Sequence, residues 1–219
     1  MIAAEGVSLY IVDDDPSVRS SLTRLLRAEG ADPESFASAE DFLAFAPSIA
    51  GPSVALLDIG LPGKSGLDLH ARLQATRPEV AVVFLTGHGD VPGAVTSMKR
   101  GAVDFLLKPV EAATLLAALA RAIDRARAAW SDKSAKKDIA LAYGELTPRE
   151  REVLTHVIAG KRNKVIASEI GTTEKTVKVH RGRIMEKMRV KSVAELVRAA
   201  DRLGIKPTPS PPKERPQGA

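Results

Sequence analysis

The chain has 219 residues, 44% of them apolar, enough for one large or two ordinary domains with real cores. It has no cysteine, which excludes disulfides and thiolate metal sites, and no apolar run approaches the length of a membrane span, so no membrane partner is expected and a reducing, cytoplasmic location is. The net charge of +5 conceals an asymmetry: residues 1–130 hold 12 Lys and Arg against 16 Asp and Glu, whereas residues 131–219 hold 20 against 11, and a basic half of that kind is a candidate for nucleic acid.

Residues 7–12 are apolar and β-prone, and they close on Asp13, Asp14 and Asp15. Asp15 followed by Pro16 reads as an N-cap and first helical position. The helix that follows carries Val18, Leu22, Leu25 and Leu26 on one face and stops at Gly30. Residues 31–36 make a poor strand with Pro33 inside, which an edge position tolerates. Ser38 caps the next helix, which ends near Pro47. The run Val54-Ala55-Leu56-Leu57-Asp58 is continuously apolar until its carboxylate, and the turn formers Gly60, Pro62, Gly63 and Gly66 follow. It reads as a strand buried on both faces. A helix over 67–76 comes next, then a buried strand over 80–85 that ends at Thr86 and Gly87. A helix over 91–100 leads to a fifth strand over 102–107, closing on Lys108 and Pro109. Five strands alternating with helices predict an α/β fold with a doubly wound, five-stranded parallel sheet. The fifth helix begins near Glu111 and has apolar positions 112, 116, 119, 123, 126 and 130, a heptad-like seam. Its first part covers the sheet; the rest extends as a linker helix or a dimer contact.

The second half shows no strand pattern. Residues 131–137 are polar and charged, which sets a linker over 131–146 after a first domain of residues 1–130. Thr147-Pro148-Arg149-Glu150 is a capping box with proline at the first helical position. Helices follow to about 159, over 163–170, from Thr172 or Thr173 to 188, and over 192–203, with Gly160 and Gly171 as stops. The all-α domain spans 147–204, and five prolines between 207 and 216 predict a disordered tail over 205–219.

Ligands of an open parallel sheet bind beyond the carboxyl ends of its strands. That edge gathers Asp13, Asp14, Asp58, Thr86 and Lys108. Three carboxylates so close repel one another and call for a cation; oxygen ligands without histidine or cysteine suit Mg²⁺. A metal with open positions can also hold phosphoryl oxygens, Lys108 adds a point charge, and Thr86 a hydroxyl. Such a site can accept a phosphoryl group on Asp58 as an aspartyl-phosphate. Each residue also has an ordinary structural explanation, but all of them would have to coincide.

The segments IVDDDPSVRSSL, LLDIGLP, FLTGHGDVPGAV and GAVDFLLKP, within residues 7–125, resemble the receiver domain of two-component response regulators, and GHGDVP is similar to the FixJ subgroup. The resemblance implies a flavodoxin-like receiver with Asp58 as phosphoacceptor. It implies an acidic metal pocket of Asp13 and Asp14, with Asp14 and the Gly60 carbonyl as Mg²⁺ ligands. Thr86 and Phe105 would be the switch pair, Lys108 the phosphate-binding lysine, and the Lys108–Pro109 bond cis. The chain departs from the subgroup at Gly60-Leu61-Pro62, where Arg-Met-Pro is frequent, and at Gly93, where a bulky apolar residue is common.

In the stretch 173–188, Val177, Ile184 and Met188 share one face and read as core, flanked by His180 and Arg181. Lys175, Lys178, Val179 and Gly182 fall on the other side. A valine among lysines suits contact with a thymine methyl, and a mid-helix glycine suits a close backbone approach, although simple tolerance explains it as well. A short helix, a glycine turn and a basic amphipathic helix make a helix-turn-helix. The run LTPREREVLTHVIAGKRNKVIASEIGTTEKTVKVHRGRIMEKM is similar to LuxR/NarL-type DNA-binding domains, with Val165 where glutamate is usual. The DNA contacts expected are Lys175, Thr176, Lys178, Val179, Gly182 and Arg183.

The expected protein is a response regulator transcription factor. A sensor histidine kinase phosphorylates Asp58, which controls homodimerisation, binding to double-stranded DNA and contact with RNA polymerase. It takes up and slowly loses a phosphoryl group without being a turnover enzyme. One rival, an aspartate-nucleophile phosphatase, needs a second acid two residues after Asp58, where this chain has Gly60. The other is a DNA-binding protein with a vestigial receiver, against which the intact acidic set argues.

Overall fold

The computed structural model describes residues 4–87 and 101–209. The expected helix over 91–100, with Gly93, lies outside the described residues, as do residues 210–219. The chain divides between Lys133 and Ser134 into two compact units.

In the first unit β1 (Ser8–Val12), β2 (Glu34–Phe36), β3 (Ser53–Asp58), β4 (Val80–Thr86) and β5 (Asp104–Leu107) form one parallel sheet in the order β2-β1-β3-β4-β5. β2 is the edge strand, three residues long, and Pro33 lies just outside it. The helices are α1 (Pro16–Ala28), α2 (Ala39–Phe45), α3 (Gly66–Thr76) and the start of α4 (Ala112–Gly144). Side chains alternate across a strand, so each central strand supplies two cores. Leu9, Ile11, Val54, Leu56 and Val83 meet Leu22 and Leu26 of α1 and Leu115, Leu119 and Ile123 of α4. Tyr10, Val12, Leu57, Val82 and Phe84 meet Phe42 of α2 and Leu69 and Leu73 of α3. Each such buried Leu, Ile or Phe contributes about 1.5–3 kcal/mol of transfer free energy, and the two layers fix where every strand ends. α4 presents 115, 118, 119, 122, 123 and 126 to the sheet, with Leu116 partly buried against the same core and Ala112 exposed.

The linker expected over 131–146 is helical as far as Gly144. No glycine or proline interrupts 131–143, so polarity there marks a solvated helix face, not a break. Lys133 anchors this part of α4 to buried Glu79 at 2.5 Å.

The second unit packs the end of α4 with α5 (Pro148–Ile158), α6 (Asn163–Glu169), α7 (Glu174–Lys187) and α8 (Val193–Arg202). Its core joins Ala142, Leu146, Val153, Leu154, Val157, Ile166, Val177, Ile184, Met188 and Leu196. Thr147 caps α5 in a reciprocal box with Glu150. The tail departs from the expected disorder for its first residues: Ile205 packs on this core, and Thr208 bonds Thr155 through its amide at 3.1 Å and its hydroxyl at 2.7 Å.

Candidate functional site

The β1–α1 turn, the ends of β3 and β4 and the residue after β5 meet at one edge of the sheet. Asp15 ends the first of these segments by accepting from the Ser17 amide at 2.7 Å, which starts α1. Asp13 and Asp14 are thereby left in the turn. Asp13 is 1% exposed, Asp14 exposed and Asp58 half-buried. One carboxylate oxygen from each can lie within 4.8 Å of the others.

A single ammonium sits among them. Lys108 Nζ is 2.6 Å from Asp13 Oδ2 and 3.0 Å from Asp58 Oδ2. The Asp15 amide donates to Asp13 Oδ1 at 3.0 Å, and the Gly60 amide to Asp58 Oδ1 at 3.3 Å. Burial works against the Lys108 charge, but its bonds to Asp13 and Asp58 outweigh it and hold the ammonium above its ordinary value. Burial pushes the Asp13 carboxyl up, and the charge on Asp58 adds to that push against the pull of Lys108. Three carboxylates facing one lysine are short of positive charge. An all-oxygen donor set of this kind fits a hard divalent cation such as Mg²⁺, held by carboxylates with further positions left to water or phosphoryl oxygens. Asp14, Asp58 and the Gly60 carbonyl are the groups that would hold it.

Backbone geometry fixes the edge. Gly66 opens α3 against the end of β3: a Cβ there would overlap the Asp58 carbonyl oxygen. Its amide donates to the Ile59 carbonyl at 3.1 Å, closing the loop that carries Gly60. The Lys108 amide donates to the Thr86 carbonyl at 2.7 Å, and the Lys108–Pro109 bond is cis. Thr86 is buried; Phe105, half-buried, pairs with Phe84 across β4 and β5 and so points to the same face as Thr86. Two contacts carry no signal in composition or periodicity. One is the approach of Gly66. The other is Arg19, whose guanidinium donates to the carbonyls of Asp13 at 2.6 Å and Asp14 at 2.9 Å. Arginine one turn after an acidic run is the only hint of the latter.

In the second unit α6 and α7 are joined by Gly171 at φ +65°. Arg181 donates to Asn163 Oδ1 at 3.2 Å and ties the two helices. Val177, Ile184 and Met188 of the α7 stretch are buried, while Lys175, Lys178, Val179, Gly182 and Arg183 are exposed and Thr176 half-buried. Val179 is 48% exposed, unusual for a valine with no partner surface. A Cβ on Gly182 would meet nothing within 4 Å, so no contact inside the unit requires glycine there.

A doubly wound sheet with an acidic edge, followed by a helical unit that exposes one face of a basic helix, is the layout of a response regulator. The family model for the response regulator receiver domain matches residues 9–120, and that for bacterial regulatory proteins of the luxR family matches residues 144–200. Nodulation protein W of Bradyrhizobium diazoefficiens is 40% identical over 204 residues, 93% of this chain and 89% of that protein. The tetrathionate response regulatory protein TtrR of Salmonella typhimurium is 44% identical over 90% of this chain and 93% of its own length. The transcriptional regulatory protein FixJ of Rhizobium meliloti is 41% identical over 92% and 98%. Among solved structures, the response regulator StyR superposes with a TM-score of 0.74 at 38% identity, covering 90% of this chain and 99% of that one. Full-length FixJ from B. japonicum gives 0.53 at 41% identity over 90% and 97%. The chain belongs to the FixJ/LuxR family of response regulator transcription factors. No helix among the described residues is long and apolar enough to cross a membrane.

Proposed function

We propose that Asp58 accepts a phosphoryl group from the phosphohistidine of a sensor kinase, and that this charge controls sequence-specific DNA binding by α7. The observation that carries the reading is the Lys108 ammonium bridging Asp13 and Asp58 at 2.6 and 3.0 Å, with Asp14 in reach.

Lys108 and the Gly60 amide orient the Asp58 carboxylate, one oxygen of which attacks phosphorus. The P–N bond to the donor imidazole breaks as the P–O bond forms, and the imidazole leaves as the neutral ring after taking a proton from solvent. A bound Mg²⁺ supplies charge neutralisation for the phosphoryl oxygens. Lys108 then pairs with a phosphoryl oxygen, and the Thr86 hydroxyl donates to another. Because Thr86 and Phe105 share a face of the sheet, movement of Thr86 frees space into which the Phe105 ring turns. That changes the surface beside β5, a local charge event read out elsewhere.

On DNA, Lys175, Thr176, Lys178, Val179, Gly182 and Arg183 enter the major groove. The phosphorylated protein pairs as a homodimer in the cytoplasm, places two copies of α7 in successive grooves and engages RNA polymerase. The test is phosphorylation with a small acyl-phosphate donor, with and without Mg²⁺. Wild type should label only with the metal, and Asp58→Asn should not label while keeping its melting temperature. An alkali-labile label on Asp58→Asn would sink the assignment.

A further inference from the structure

The three carboxylates of the sheet edge are not held equally. Asp13 is tethered through both oxygens, to the Asp15 amide and to Lys108. Asp58 is tethered by the Gly60 amide and Lys108. The Asp14 carboxylate is exposed and takes no hydrogen bond from the described residues. What holds Asp14 is its backbone: its carbonyl accepts from Arg19 Nη1 at 2.9 Å, and the same nitrogen donates to the Asp13 carbonyl at 2.6 Å. One guanidinium nitrogen carries two hydrogens and can serve two acceptors. Arg19 stands in the first turn of α1, its amide bonded to the Asp15 carbonyl at 3.1 Å, so the helix fixes where its side chain begins and the two carbonyls hold its guanidinium.

We infer that Arg19 is a positioning residue for the metal site: by pinning two successive carbonyls of the acidic turn, it keeps the otherwise untethered Asp14 carboxylate facing Asp58 and a divalent cation between them. Two pinned peptide planes fix the Cα–Cβ direction of Asp14 and leave only side-chain rotation free. This rests on the phosphoacceptor reading above. The sign of the effect separates it from simple electrostatics. Removing a cation from beside three carboxylates should, by charge alone, tighten Mg²⁺ binding. Loss of a group that orients a ligand should weaken it, and outer groups of this kind are worth about tenfold or more in metal affinity.

The experiment titrates Mg²⁺ alone into the unphosphorylated full chain and follows the rise in melting temperature, which reports metal affinity by mass action. Arg19→Met keeps the aliphatic stem and removes both donations; it should raise the Mg²⁺ dissociation constant about tenfold. Arg19→Lys keeps the charge and a point donor and should fall between Met and wild type; it also serves if the Met variant does not fold. Phosphorylation run in parallel should need correspondingly more Mg²⁺ and recover most of its rate at saturation. Tighter binding in Arg19→Met, or a lower metal-free melting temperature with an unchanged Mg²⁺ constant in both variants, overturns the inference. Failure of the phosphoacceptor reading looks different: wild type itself would not label on Asp58, while the metal titration would still report on Arg19.

Discussion

At the scale of single residues, the second unit depends on one buried carboxylate. Glu150 is 1% exposed, yet it accepts from the Thr147 amide at 2.9 Å and from Lys187 at 2.7 Å. It therefore joins the start of α5 to the end of α7. Burial pushes this carboxyl up, but the bonds from Lys187 and Thr147 outweigh it and hold it below the usual glutamate range. A depressed folded value means that the contribution is present above the unfolded value, about 4.3, and is lost as pH falls through the lower folded one. Melting curves from pH 7 to pH 3 should show wild type more stable than Glu150→Gln at neutral pH and the gap closing in acid; a gap independent of pH would show that the charge is irrelevant. The acidic edge was legible in the sequence because Asp13, Asp58, Thr86 and Lys108 each terminate an apolar run or follow one, and parallel strands bring such ends together. Arg19 was not, because its role is a contact to backbone carbonyls, which no side-chain pattern announces. Nor was the approach of Gly66, whose neighbours in the sequence mark it only as a turn former.

Among the elements, strands were the easiest to read and polar helix the hardest. β3 and β4 are buried almost throughout, as their unbroken apolar runs require. The stretch 131–146 carries the charges of a linker, yet it is helical as far as Gly144, because charge reports solvent exposure and not backbone conformation. The first residues of the tail show the converse: their prolines point to disorder, while Ile205 and Thr208 supply an apolar contact and two hydrogen bonds. The α7 helix shows a conflict of a different kind. Gly182 lies in its interior, exposed, with open space where a Cβ would go. Replacing it with alanine should stabilise the unit by about 1 kcal/mol. If the glycine admits a DNA backbone or base edge close to the helix, Gly182→Ala should melt higher and bind its operator more weakly. A variant that melts higher and binds as well as wild type would mean that the glycine is merely tolerated.

Over the whole molecule, the charges divide the labour: residues 131–219 carry 20 Lys and Arg against 11 Asp and Glu, so the attraction to DNA resides in the second half. That attraction has a part that is blind to sequence and a part that reads it. Contacts to phosphate release counterions and weaken with salt, whereas contacts to base edges discriminate. Val179 and Lys191 should fall on opposite sides of this division. Val179 stands exposed on α7 between Lys178 and Gly182, on the side away from the buried Val177 and Ile184. Lys191 is exposed beyond the end of α7, where its amide is bonded to Glu195 at 2.8 Å; from there its ammonium can meet phosphate but not a base edge read by α7. Val179→Ala should lose roughly 1 kcal/mol or more on the operator and nothing on scrambled DNA, because only the operator keeps the contacted thymine methyl. Lys191→Ala should weaken both alike and reduce the slope of log affinity against log salt by about 1. A salt series of binding isotherms for both variants on both DNAs decides between them. Equal losses for Val179→Ala on operator and scrambled DNA would mean that this face of α7 does not read bases, and the charge of the second half would then serve attraction alone.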